Sequence, residues 1–201
     1  RYAELLSDCM GEKMRPAWNC TAVPGESFET FHFVPETNYQ MLCGISRITK
    51  DGELVSGDNY AFLQKDTGRI VMSLADGMGS GVGACRESEK VIELLEQFFQ
   101  AGFPQETAVR MINSCMLLQN TQERYSTIDL CMVDLYEGDC DFLKSGAAPT
   151  FLKYGEEIEV LQPAAMPPGI LQQPDYARTH RKLAAGDVII MMTDGVLEAL
   201  P

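Results

Sequence analysis

Apolar and polar positions along the chain keep two rhythms, and the change between them divides it into elements. From Gln40 to Ile48, Tyr60 to Gln64 and Arg69 to Leu74 the pattern is the short-period one of strands. Lys50-Asp51-Gly52-Glu53 and Asp66-Thr67-Gly68 read as the turns between them, and the third strand runs into ADGMGSG. Between Ala84 and Gln100 the period lengthens to about 3.6. Val91, Leu94, Leu95, Phe98 and Phe99 share one stripe, while Glu87, Glu89, Lys90, Glu93 and Glu96 lie off it. This predicts an amphipathic helix. Gly102 stops it, and Pro104 suits the first turn of a second helix with its stripe through Ala108, Val109, Ile112, Cys115 and Met116.

After this helical hairpin, 129 to 136, 140 to 144, 149 to 154 and 188 to 192 are strand candidates separated by EGD, SGAA, GEE and AAGD turns. Two helices set between hairpin-linked strands predict an α+β fold with helices packed on antiparallel sheet, not a parallel Rossmann sheet. At the front, residues 1 to 14 read as a short helix with a narrow apolar face of Leu5, Leu6 and Cys9. The stretch to 38 holds Pro16, Pro24, Gly25 and Pro35, so it reads as loop with one short strand at 28 to 34. The division expected is a 1 to 38 extension or linker and a 39 to 201 domain.

Composition narrows the class. The 201 residues, 45% hydrophobic and 22% charged, suffice for one real core. Against 29 Asp+Glu stand 16 Lys+Arg, a net charge of -13 that excludes a broad nucleic-acid groove. The seven cysteines are odd in number and form no CxxC pair. That predicts mostly buried thiols in a reducing, cytoplasmic compartment rather than a disulfide framework or a four-cysteine zinc site. No apolar run reaches about 18 residues, so no membrane contact is expected of this segment.

Three aspartates share a setting: Asp58 in SGDNY, Asp76 in LADGMGSG and Asp194 in MMTDG. Asp76 and Asp194 each end an apolar strand and precede a glycine, which delivers a carboxylate where the backbone turns sharply. Gathered carboxylates suit hard divalent ions such as Mg²⁺ and Mn²⁺, whereas any single Asp-Gly is ordinarily just a turn. The glycine-rich segment after Asp76 lacks the Lys-Ser/Thr of a phosphate-binding loop and the GxGxxG of a dinucleotide site. His32 and His180 are the two histidines, in no ligand-spaced cluster, and no serine sits in GxSxG. Ser126-Thr127 and Ser145-Gly146 read as structural turns, and the 11 methionines as core filler.

Taken in order, SGDNY, ADGMGSG, YSTIDL, LKSGAAPTFL, MPPGI and LAAGDVIIMMTDGVLEA resemble the metal-dependent serine/threonine phosphatases, most closely the phosphatase domains of the bacterial stage II sporulation protein E type. The resemblance runs from about residue 40 to the end. It implies a four-layer α-β-β-α sandwich and a site in which Asp76 bridges two Mn²⁺ or Mg²⁺ ions. The Gly77 carbonyl assists there, and Asp58 and Asp194 each ligate one ion, directly or through water. It implies hydrolysis of a phosphoserine or phosphothreonine monoester by metal-activated water, without a phosphoenzyme. In such proteins the substrate is an anti-sigma-factor antagonist in sporulation, and the domain lies on the cytoplasmic side of a membrane-anchored chain. The helices at 84 to 119 resemble regulatory switch helices that also form a homodimer contact.

One departure stands out. The family's final strand, preceded by a further acidic metal ligand, is not in this sequence, which ends seven residues after Asp194. The expectation is a domain lacking its closing strand and weak metal occupancy. The competing readings are a catalytically inactive phosphatase-like interaction module and another two-metal phosphoesterase.

Overall fold

A computed structural model describes residues 2–17, 30–49, 52–65, 67–119, 125–162 and 164–199. The elements are α1 (Tyr2–Met10), β1 (Met14–Pro16), β2 (Phe33–Pro35), β3 (Asp58–Gln64), β4 (Arg69–Asp76), α2 (Gly81–Gln100), α3 (Gln105–Gln119), β5 (Ile128–Asp134), β6 (Asp139–Ser145), β7 (Thr150–Tyr154), β8 (Glu157–Leu161), β9 (Ala177–Lys182), β10 (Val188–Met191) and α4 (Asp194–Glu198). Three antiparallel sheets result: β3-β4-β5-β6-β9, β10-β7-β8, and the small β1-β2 pair. The α+β class expected from the two rhythms is the one observed.

Two apolar layers hold it together. On one face of the five-stranded sheet, the helical stripe of Val91, Ile92, Leu95 and Phe99 with Ala108, Val109 and Ile112 meets Val71, Ala75, Ile128, Leu130 and Leu143. On the other face, Ile70, Cys131, Val133, Cys140 and Phe142 meet Leu152 and Leu161 of the three-stranded sheet. Strand alternation sorts the two sets. In β5, Ile128 and Leu130 point to the helices and Cys131 and Val133 to the second sheet, as the two-residue period demands. Among the described residues these two cores set the order helices, sheet, sheet. The outer side of the second sheet leaves Ile158, Val160, Val188 and Ile190 exposed.

Hairpin geometry explains most of the turns. Gly68 has φ of +71° between β3 and β4, in the left-handed region where a side chain is strained, and its N–H bonds the Lys65 carbonyl at 3.1 Å. β1, β8 and β9 are additions that the alternation did not single out. In the 28 to 34 stretch the strand is confined to Phe33–Pro35, and residues 28 and 29 lie outside the described residues.

Two expectations are corrected. Gln40 to Ile48 is not a strand: it pairs with no described strand and leaves Leu42 97% and Ile48 86% exposed. Its Met41 to Ser46 instead walls a cavity of about 210 Å³ with Tyr60, Phe62, Met72, Ile189 and Met191. Alternation makes a segment able to join a sheet, but a ladder needs a free edge at the right place. The thiols, too, are not mostly buried. Cys131 and Cys140 are, whereas Cys9 and Cys43 are exposed and Cys85 and Cys115 half-buried, all six unpaired, with Cys20 outside the described residues. Among the described residues no helix is long and apolar enough to cross a membrane.

Because Phe99 is fully buried where α2 meets the sheet, Phe99→Ala should cost about 3–5 kcal/mol in urea unfolding. Leu118→Ala, at a position 87% exposed, should stay within about 0.5 kcal/mol.

Candidate functional site

The β3-β4 register sets Asp58 directly opposite Asp76 at the end of the sheet. Like charges in that relation repel, so local contacts must hold them. The Ser56 hydroxyl donates to Asp58 Oδ2 at 3.2 Å, and the Thr193 hydroxyl reaches the same oxygen at 3.1 Å. Thr193 immediately precedes α4, whose first residue is Asp194. That one hydrogen bond draws the third aspartate to the other two. The sequence-predicted carboxylates thus come together from β3, β4 and α4.

Asp76 is clamped through its backbone. Its N–H donates to Thr127 Oγ1 at 2.9 Å, and its carbonyl accepts from the Thr127 N–H at 2.8 Å. Gly77 bridges to Ser126 and donates to the Gly57 carbonyl at 3.2 Å. A Cβ on Gly77 would lie 2.0 Å from the Ala84 carbonyl oxygen, so only glycine fits beneath the first turn of α2. The helix is tied to the Asp58 turn as well: Asn59 Nδ2 donates to the Cys85 carbonyl at 3.1 Å and to Ser88 Oγ at 2.9 Å. Glu53 accepts from Ser80 Oγ at 2.8 Å, which places a negative group at the positive end of α2. Arg47 donates to the Ser56 carbonyl at 3.0 Å, setting a guanidinium beside the Asp58 turn.

Electrostatics mark Asp76. Burial, the hydrogen bond and charge of Asp194, and the charge of Asp58 push its pKa from 3.8 up to about 8. Without a cation, the cluster therefore retains a proton near neutrality. Among the described residues, no group of three His, Cys, Asp or Glu side chains forms a ready-made metal cage. The donor set is nonetheless one of hard oxygens pressed together against their own repulsion, which fits a small divalent ion such as Mg²⁺ or Mn²⁺.

The serine and threonine turns are structural, and they support the site. Ser126-Thr127 hold Asp76-Gly77, while Ser145 Oγ sits 2.7 Å from both the Met166 and Asp175 carbonyls. The histidines take no part: His32 is exposed, and His180 on β9 lies 3.3 Å from Asp141. Asp129, Lys144 and Thr150 escaped the sequence reading. Asp129 is 1% exposed and Lys144 2%, and the two form an ion pair between the sheets. The signal was there, a charge at an inward position of each of two apolar strands, IDLCMVD and DCDFLKS.

Comparison with known proteins gives one family model, described as stage II sporulation protein E, matching residues 66–201. Stage II sporulation protein E of Bacillus subtilis (strain 168) is 34% identical over 98% of this chain, which covers 24% of that protein. The Priestia megaterium protein of the same name is 33% identical over 98% of this chain and 34% of its own length. The chain spans about a quarter to a third of these relatives. The solved PP2C phosphatase domain of the cell fate determinant SpoIIE from Bacillus subtilis, with a fragment of its regulatory domain, superposes with a TM-score of 0.77 at 34% identity. That match covers 98% of this chain and 58% of the other.

The raised Asp76 pKa fixes the sign of a pH dependence. The unfolded chain releases this proton near 3.8 and the folded one near 8, so between those values the folded state binds more protons. Stability then falls as pH rises through the interval. With chelator present, the melting temperature should decline from about pH 4 to about pH 8. Asp76→Asn should flatten that decline and melt higher than the parent at pH 8.

Proposed function

The chain belongs to the stage II sporulation protein E family, which makes it a PP2C-type metal-dependent serine/threonine phosphatase domain, and from that premise we propose that it hydrolyses a phosphoserine monoester on a regulatory protein through water activated at a two-ion site. The observation that carries the reading is the convergence of Asp58, Asp76 and Asp194, with Asp76 pushed up to about 8 by burial and by its two neighbours. Mn²⁺ or Mg²⁺, when bound, would lower the pKa of the attacking water and neutralise charge on the phosphoryl oxygens.

The chain's residues do the rest. Asp76 at the end of β4, the neighbouring Gly77 carbonyl, Asp58 and Asp194 are the groups that would hold the ions. The Thr127 clamp fixes the Asp76 backbone at the sheet end from which its carboxylate projects. Arg47 offers a positive charge to an incoming phosphoryl group, on a chain whose net charge of -13 otherwise repels it. The substrate by family likeness is a phosphorylated anti-sigma-factor antagonist. A homodimer through α2 and α3 would use their outer faces, where Val82, Met111 and Leu118 are exposed, because the Val91, Leu95 and Phe99 stripe is already in the core.

A phosphoserine peptide assayed with Mn²⁺ tests the reading. Asp76→Asn should lower kcat at least about 100-fold, the loss of several kcal/mol of charge stabilisation. Turnover by the parent no faster than by Asp76→Asn would instead favour an inactive phosphatase-like module. Turnover confined to small phosphate esters would favour another two-metal phosphoesterase.

A further inference from the structure

The buried ion pair between the sheets has a use that its own stability does not explain. Lys144 Nζ pairs with Asp129 Oδ2 and donates to Thr150 Oγ1 at 2.7 Å, and the Thr150 hydroxyl lies 3.1 Å from the same Asp129 oxygen. Thr150 is fully buried, as the pair nearly is. Burial raises the pKa of Asp129 and lowers that of Lys144, each opposed by the charge of the other. Such an arrangement gains little over apolar residues packed in the same place.

Its geometry points elsewhere. Both contacts to the carboxylate fall on Oδ2, and Asp129 Oδ1 has no partner among the described residues. Asp129 lines a cavity of about 30 Å³ together with Asp76, Thr127 and Asp194. A space of this size holds one water, provided that two to four polar groups meet it. Here they do. Thr127 Oγ1 already accepts the Asp76 N–H, so its own hydrogen is free to donate. A water there would accept from Thr127 and donate one hydrogen to Asp129 Oδ1 and the other to the Asp76 carboxylate.

We propose that Asp129 is a positioning residue for Asp76, acting through a single water lodged in this cavity, and that Lys144 and Thr150 fix Asp129 for that task. The inference rests on the two-ion reading above. Groups that orient a ligating carboxylate from behind typically change metal affinity by about 10–100-fold when removed.

The test replaces the whole device at once. The triple variant Asp129→Val, Lys144→Met, Thr150→Val removes the orphaned Asp129 oxygen together with its ion-pair and hydroxyl partners, keeps the net charge unchanged and lets the valine methyls occupy the cavity. It should melt at or above the parent temperature yet bind Mn²⁺ about 10–100-fold more weakly by calorimetry. Unchanged charge means that a loss of affinity cannot come from long-range electrostatics. A folded triple variant binding Mn²⁺ within about twofold of the parent would overturn the proposal. Should the triple variant not fold, the charge-neutral double variant Asp129→Leu, Lys144→Met decides by the same criterion. A parent that takes up no Mn²⁺ sinks the two-ion reading and this inference together. If the parent binds Mn²⁺, Asp76→Asn abolishes it and the triple variant does not weaken it, this inference alone fails.

Discussion

The register of β3 against β4 places two carboxylates side by side at a sheet end, an arrangement that repels itself. Slipping by one residue would separate them, but it would also turn Ala61 and Leu63 away from the helices and Phe62 away from the second sheet. Apolar packing on both faces therefore enforces the electrostatic strain. The left-handed Gly68 turn and the Asn59 contacts to Cys85 and Ser88 of α2 pin the same register from either end. The strain surfaces where chemistry can use it, in an Asp76 held up to about 8.

Around that end Asp76 and Gly77 are clamped through backbone atoms, while the Asp58 carboxylate is held by the Ser56 and Thr193 hydroxyls. Thr127 takes both polar groups of the Asp76 peptide, and Gly77 tucks under α2 where no Cβ fits. Helix α2 reaches the site through Ala84 against Gly77 and through the Asn59 contacts to Cys85 and Ser88. The buried Asp129 and Lys144 pair lies in the layer between the sheets, behind the cluster, where a low dielectric strengthens every charge it holds.

Much of this was legible in the chain. The period of 3.6 located α2 and α3, and the alternation located β3 to β7 and β10, because both depend on local sterics and on which face each side chain takes. The aspartates at apolar strand ends were visible for the same reason. The alternation failed at Gln40 to Ile48, where no described edge takes the segment. It also passed over β9, whose ARTHRK sequence carries charges on its exposed side and joins the sheet by extending β6 rather than by entering a core.

What the sequence determined by itself is the inventory: helices, hairpins, an acidic chain, and carboxylates set at sharp turns. Each follows from interactions within a few residues. Tertiary structure alone decided that Thr193 meets Asp58 across 135 positions and that Asp129 faces Asp76 through a cavity. It also decided that Lys144 neutralises a charge inside the layer between the sheets. Those are distances between groups on different strands, set by register and by the packing of α2 on the sheet. No local pattern carries them, since the repulsion among the carboxylates is overcome only when both apolar layers have closed.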